Sequence, residues 1–201
     1  MDRYTKFLLI FGGCTMSLVF AATTPMIEVY FINLIGPQTL AAANIISVGL
    51  AAAVNATVPN DKAKEFYRRH FKAIVLLDVA GFCLVSFAGY EQPELRFLGF
   101  AVVNSITTTL WGIVIGNAVN RKIQGDELTD WNFFEKAFYL AASLLGGVFA
   151  LFVTELSIET CLFAQCAANI IFGITDLQAF KRLNRKDTDD ETRKEGELAC
   201  Q

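Results

Sequence analysis

The chain has 201 residues, 54% of them hydrophobic and 18% charged, with a formal net charge of -3 and a mean hydropathy of +0.43. That is too apolar for a water-facing surface of this area, so the excess must face lipid. The charged residues gather in short stretches between long uncharged runs, which argues against a nucleic-acid partner and makes the basic patches topology signals.

Six apolar runs approach the roughly 20 residues that a helix needs to cross hydrocarbon. They are Phe7 to Leu34, Leu40 to Val58, Phe71 to Ala88, Leu95 to Val119, Phe133 to Phe152 and Ile158 to Phe180. The first is far longer than a signal-peptide core, so it is expected to remain as a span. Turn or polar chemistry separates the runs, as in Gly36-Pro37-Gln38, Pro59-Asn60-Asp61, Glu91-Gln92-Pro93-Glu94 and Gln124-Gly125-Asp126-Glu127. The expected fold is an all-α polytopic membrane protein with six transmembrane helices over residues 1–180. A mobile charged cytoplasmic tail is expected over 181–201, which has almost no large apolar residue to bury.

When the loops are placed on alternate sides, all but one of the 17 Lys and Arg residues fall together. Only Arg96 lies opposite. The positive-inside bias makes the basic side the cytoplasm, and an even number of spans puts both termini there. Compact loops favour a plasma membrane of the bacterial inner-membrane kind.

In the first span, Glu28 follows Pro25 by one turn, and Thr24, Ala21 and Ser17 share its face. A mid-bilayer carboxylate costs at least about 2.5 to 3.5 kcal/mol, so Glu28 is expected to face protein or water. The stripe reads either as a cavity lining or as a close helix contact, and Pro25 is expected to kink the helix. Span two carries Asn44, Ser47, Ala51 and Asn55 at helical spacing, and the sequon Asn55-Ala56-Thr57 falls at its cytoplasmic end. The segment Asp61 to Lys72 reads as a short interfacial helix whose cations snorkel or hold anionic lipid heads.

Asp78 lies two turns into span three. Span four has Asn104, Thr107, Thr108 and Trp111, followed by the small-xxx-small pair Gly112 and Gly116. Span six places Gln165, Asn169, Gly173 and Asp176 on one face. Asp176, just before Lys181 and Arg182, reads as a structural ion pair near the interface, and each stripe taken alone reads as interhelical glue. Cys14, Cys83, Cys161 and Cys166 sit in apolar runs as small hydrophobes. The single histidine, His70, has no second histidine to complete a metal site. With no phosphate-cradling glycine loop and no nucleophile elbow, no enzyme chemistry, metal or cofactor is expected.

The glycine-bearing start Phe11-Gly12-Gly13, the late segment Pro25-Met26-Ile27-Glu28-Val29-Tyr30, the loop residues Asn120-Arg121-Lys122-Ile123 and the pair Gly146-Gly147 together resemble one six-helix half of the major facilitator superfamily. Of the family's glycine, acid, base and second-glycine loop motif, Asp61 and Lys62 fit, while Ala63 and Lys64 stand where the second glycine and a base would fall. The resemblance implies rocking-bundle transport along helices one, two, four and five. Helices three and six, with Asp78 and Asp176, would then be supports. The leading expectation is a half-size secondary transporter of a small solute or ion, acting as a parallel homodimer in the lipid bilayer. Glu28 would bind a proton or a cationic group, and Thr24, Asn44, Asp78, Asn104, Thr108 and Trp111 would be further substrate- or proton-binding candidates. The competing class is a non-transporting immunity, assembly or regulatory subunit that binds a partner membrane protein.

Overall fold

The computed structural model describes residues 1–87, 92–153 and 156–198, with side chains over 1–84, 92–152 and 156–184. Six helices account for nearly all of these residues: α1 (Arg3–Asn55), α2 (Asp61–Arg69), α3 (Phe71–Phe87), α4 (Pro93–Lys122), α5 (Asp126–Val153) and α6 (Ile158–Leu198). Four of them, α1, α4, α5 and α6, are long and apolar enough to cross a membrane. The protein is therefore an all-α chain of membrane-spanning character. The charged segment after Phe180, expected as a separate tail, continues α6 as helix to Leu198.

The 53-residue α1 carries a single non-helical residue, Gly36, at φ 79° and ψ 156°. Only glycine occupies that region without strain, and Pro37, with no N–H to lose, starts a new helix directly after it. Pro25 is passed without a break in the dihedrals. Before Gly36, Phe31 meets Phe97 near the start of α4, with ring centroids 4.8 Å apart. Leu9 shares an apolar cluster with Val119 and Ile123 at the other end of α4. The first limb of α1, residues 3–35, therefore runs antiparallel to α4. After Gly36, the start of α2 at Asp61 borders a groove with Asn117, Arg121 and Gln124, again at the end of α4. The chain thus doubles back at Gly36, and residues 37–55 form a second limb.

Helix α1 is the hub of the bundle and packs on α4, α5 and α6, while α3 packs on α4 and α6. Three glycines permit the close approaches. A Cβ on Gly12 would meet Thr175 and Phe172 of α6, one on Gly13 the ring of Tyr139 on α5, and one on Gly146 the backbone oxygen of Leu18. At the N-terminus Asp2 caps α1 by accepting from the Thr5 backbone N–H at 2.8 Å. Lys6 pairs with Glu127 at 3.3 Å, which ties the starts of α1 and α5 together.

Helix α2 is capped by the Asn60 side chain, which accepts from the Lys62 backbone N–H at 2.9 Å. Its Glu65 accepts from Arg68 at 2.8 Å and Arg69 at 2.9 Å. Those two hydrogen bonds hold the Glu65 carboxyl down to about 2, so it stays ionised at ordinary pH. Phe66 is exposed and lies against His70, as suits a short helix lying on an interface.

The sequence offered no cysteine pairing, yet Cys83 on α3 and Cys166 on α6 lie with their Sγ atoms 2.8 Å apart. Mild oxidation with copper–phenanthroline is expected to join them within one chain. The readout is two thiols lost to maleimide labelling, a loss that Cys83→Ser abolishes. Retention of both thiols in the wild type would show that α3 and α6 do not meet at this level.

Candidate functional site

Helices α4 and α5 are joined by the short turn at Ile123–Gly125, but α5 packs along α1 rather than along α4. The two helices splay, and between them opens a cavity of about 430 Å³ that α1, α3 and α6 also line. One face of α4 supplies its wall: Asn104, Thr108, Trp111, Gly112, Ile115, Gly116, Val119 and Asn120 recur at three- and four-residue spacing. A Cβ on Gly112 or Gly116 would touch nothing within 4 Å. The small-xxx-small pair therefore makes room for the cavity instead of gluing two helices.

Asp78 is 4% exposed and is held by donors from two helices. Its Oδ1 accepts from the hydroxyls of Thr107 and Thr108, the latter at 3.1 Å, and its Oδ2 accepts from Asn169 Nδ2 at 3.2 Å. One carboxylate thus clamps α3 to both α4 and α6. Asp176 is 2% exposed and accepts from the Trp111 indole N–H at 2.7 Å through Oδ2. Its Oδ1 has no partner. Glu135 adds a third carboxylate from α5, where it accepts from the Tyr139 hydroxyl at 3.1 Å. No Lys, Arg or His lines the cavity among the described residues.

The cavity runs from the α4–α5 turn toward a group of aromatic rings. Asn120 and Asn132, near the α4–α5 turn, are exposed. Beyond Asn104 a chain of rings fills the space between helices: Phe20 on Phe82 at 5.5 Å, Phe82 on Phe100 at 5.2 Å, Phe100 near Phe97 at 6.5 Å, and Phe97 on Phe31 at 4.8 Å. These five rings come from α1, α3 and α4.

Asp78, Asn104, Thr108 and Trp111 from the sequence prediction meet in this cavity. Thr24 does not line it; its hydroxyl accepts from Gln165 Nε2 at 3.3 Å, beside the bond from Gln165 to Thr23 at 3.0 Å. That is the helix-contact reading of the stripe. Glu28 and Asn44 are exposed and also lie outside the cavity. On the turn that carries Glu28 it is Ile27 that points inward, onto Cys161 and Leu162. Asp176 departs from its expected role as a partner of Lys181 and Arg182. Arg182 lies over the ring of Tyr4 at 4.4 Å, leaving Asp176 to the cavity. Sequence reasoning missed Glu135 and Tyr139, an i,i+4 pair near the start of span five, and took Asn169 for glue. The signal for Asn169 and Asp176 was their seven-residue spacing on one face.

No family model matches the chain, and no curated protein or solved structure matches it either.

Proposed function

We propose that this chain is a half-size secondary transporter of a small solute, seen open toward the cytoplasmic side, whose pathway is completed by a second, parallel copy. The observation that carries this reading is the acid-lined cavity, with exposed Asn120 and Asn132 near the α4–α5 turn and, at its other end, Phe20 and Phe82, which join the ring chain to Phe100, Phe97 and Phe31, proposed as the closed gate. Alternating access needs a polar site with one closed gate at a time. The cavity also needs a cover along its side, because the exposed Thr108, farther from the turn, would otherwise face hydrocarbon.

The proposed topology has six crossings. The doubling back at Gly36 gives α1 two limbs, of which the shorter, 37–55, covers roughly 28 Å at 1.5 Å per residue; α3, at 17 residues, covers roughly 25 Å. Both suit a hydrocarbon core about 30 Å thick when flanking residues snorkel. With the basic ends of the helices inside, both termini are cytoplasmic. The resemblance to a six-helix half of the major facilitator superfamily is kept as part of the proposal with one change: α3 and α6 carry site residues as well as support.

A second reading, a non-transporting subunit bound to a partner membrane protein, is favoured by the exposure of Glu28 and Asn44 on outer faces. Native mass of the protein extracted with its own lipids separates the two. A homodimer is expected, and a monomer, or a stoichiometric complex with a different protein, would replace the transport reading with the subunit reading.

A further inference from the structure

Two side chains in the cavity are almost wholly buried and each has an oxygen without a donor: Asp176 Oδ1 and Asn169 Oδ1. The Asn169 orientation is fixed chemically, since the atom facing the Asp78 carboxylate must be the N–H₂. Both unmet groups are therefore acceptors. A buried acceptor without a donor costs about 1–3 kcal/mol, a cost that a donor brought in from outside the chain would remove. The two residues lie seven apart on α6, roughly 10 Å along the axis, so one donor does not serve both.

The rest of the lining narrows the ligand. Asp78 already accepts from Thr107, Thr108 and Asn169, whereas Asp176 has one donor in Trp111 and Glu135 one in Tyr139, so these two are the less satisfied carboxyl groups of the lining. Trp111, stacked on Phe172 with centroids 4.7 Å apart, and Trp131 supply aromatic surface. Carboxylates beside aromatic faces, with no opposing cation, suit a positively charged group on an apolar body. The volume of about 430 Å³ is far larger than a proton or a bare metal ion needs.

We infer that the transported solute is a small organic ammonium ion, with its N–H donors on Asp176 Oδ1 and a second donor, a hydroxyl or amide N–H, about two helical turns away on Asn169. This inference rests on the transport reading for its meaning, but its test does not. The chain has two tryptophans, and both line the cavity, so tryptophan fluorescence of the full-length protein in detergent reports on this site. Tyramine pairs an ammonium with a distant hydroxyl, and tyrosol is the same body with an alcohol in place of the ammonium. With excitation to the red of phenol absorption, tyramine is expected to quench saturably and to bind about tenfold or more tighter than tyrosol. Asp176→Asn, which keeps an oxygen for Trp111, is expected to erase that preference.

Equal affinity of the unaltered protein for the two probes overturns the inference, and that comparison stands even where the variant fails to fold. An undiminished preference in folded Asp176→Asn overturns it as well. Saturable tyramine binding with no flux in liposomes would uphold the ammonium site and remove the transport reading. Flux of another solute, indifferent to tyramine and to Asp176→Asn, would do the reverse.

Discussion

Valine at position 146 is expected to loosen α5 from α1 and to lower the melting temperature of the protein in detergent, whereas valine at 147 leaves it close to wild type. The two glycines are neighbours in sequence and differ only in what stands opposite. A Cβ on Gly146 would run into the Leu18 carbonyl oxygen and approach Ala21 Cβ at 2.9 Å, while one on Gly147 meets nothing within 4 Å. A backbone oxygen in a helix has no rotamer to change, so α5 itself must move. Overpacking of this kind costs about 1–3 kcal/mol even where side chains give way, and here it falls on the helix against which α5 packs. Melting followed by size-exclusion fluorescence is expected to show Gly146→Val lower by roughly 2–12 °C, with Gly147→Val unmoved. Equal losses for the two variants would mean that helix propensity, and not the α1 contact, sets the effect.

The four long apolar helices were legible because hydrocarbon imposes a length, a constraint that needs no knowledge of packing. Gly36-Pro37 was legible as a break for a local reason, since the pair stops one helix and starts another. What a sequence does not carry is the direction in which a given helix face looks. Glu28 was expected to turn inward because exposure is costly, yet the inward position on its turn belongs to Ile27. Asp176 was assigned to Lys181 and Arg182 by nearness along the chain. At about 100° per residue, however, those positions point about 140° and 120° away from it, and the α4 face that brings Trp111 to Asp176 lies 65 positions away in sequence. Gly112 and Gly116 show the same limit: their spacing fits a helix contact and a cavity wall equally, and only the splay of α4 from α5 decides.

The role of Asp78 follows from counting its donors, and it separates scaffold from site. Alanine there leaves Asn169 Nδ2 without its acceptor, and the Thr107 and Thr108 hydroxyls fall back on the Val103 carbonyl and the Asn104 side chain within α4. The α3–α4 and α3–α6 ties are then lost together, at a cost of about 1–3 kcal/mol, which is expected as a fall in melting temperature of several degrees. Asp78→Asn is expected to behave differently. Its amide oxygen still accepts from both threonines, and its N–H₂ faces Asn169, which needs only to turn over and present the oxygen that had no partner. The charge is removed but the clamp survives, so stability is expected near wild type, and so is the preference for tyramine over tyrosol. If Asp78→Asn instead loses that preference as completely as Asp176→Asn while remaining folded, Asp78 is a ligand-binding charge, and the division between a clamp on α3 and a receptor on α6 is wrong.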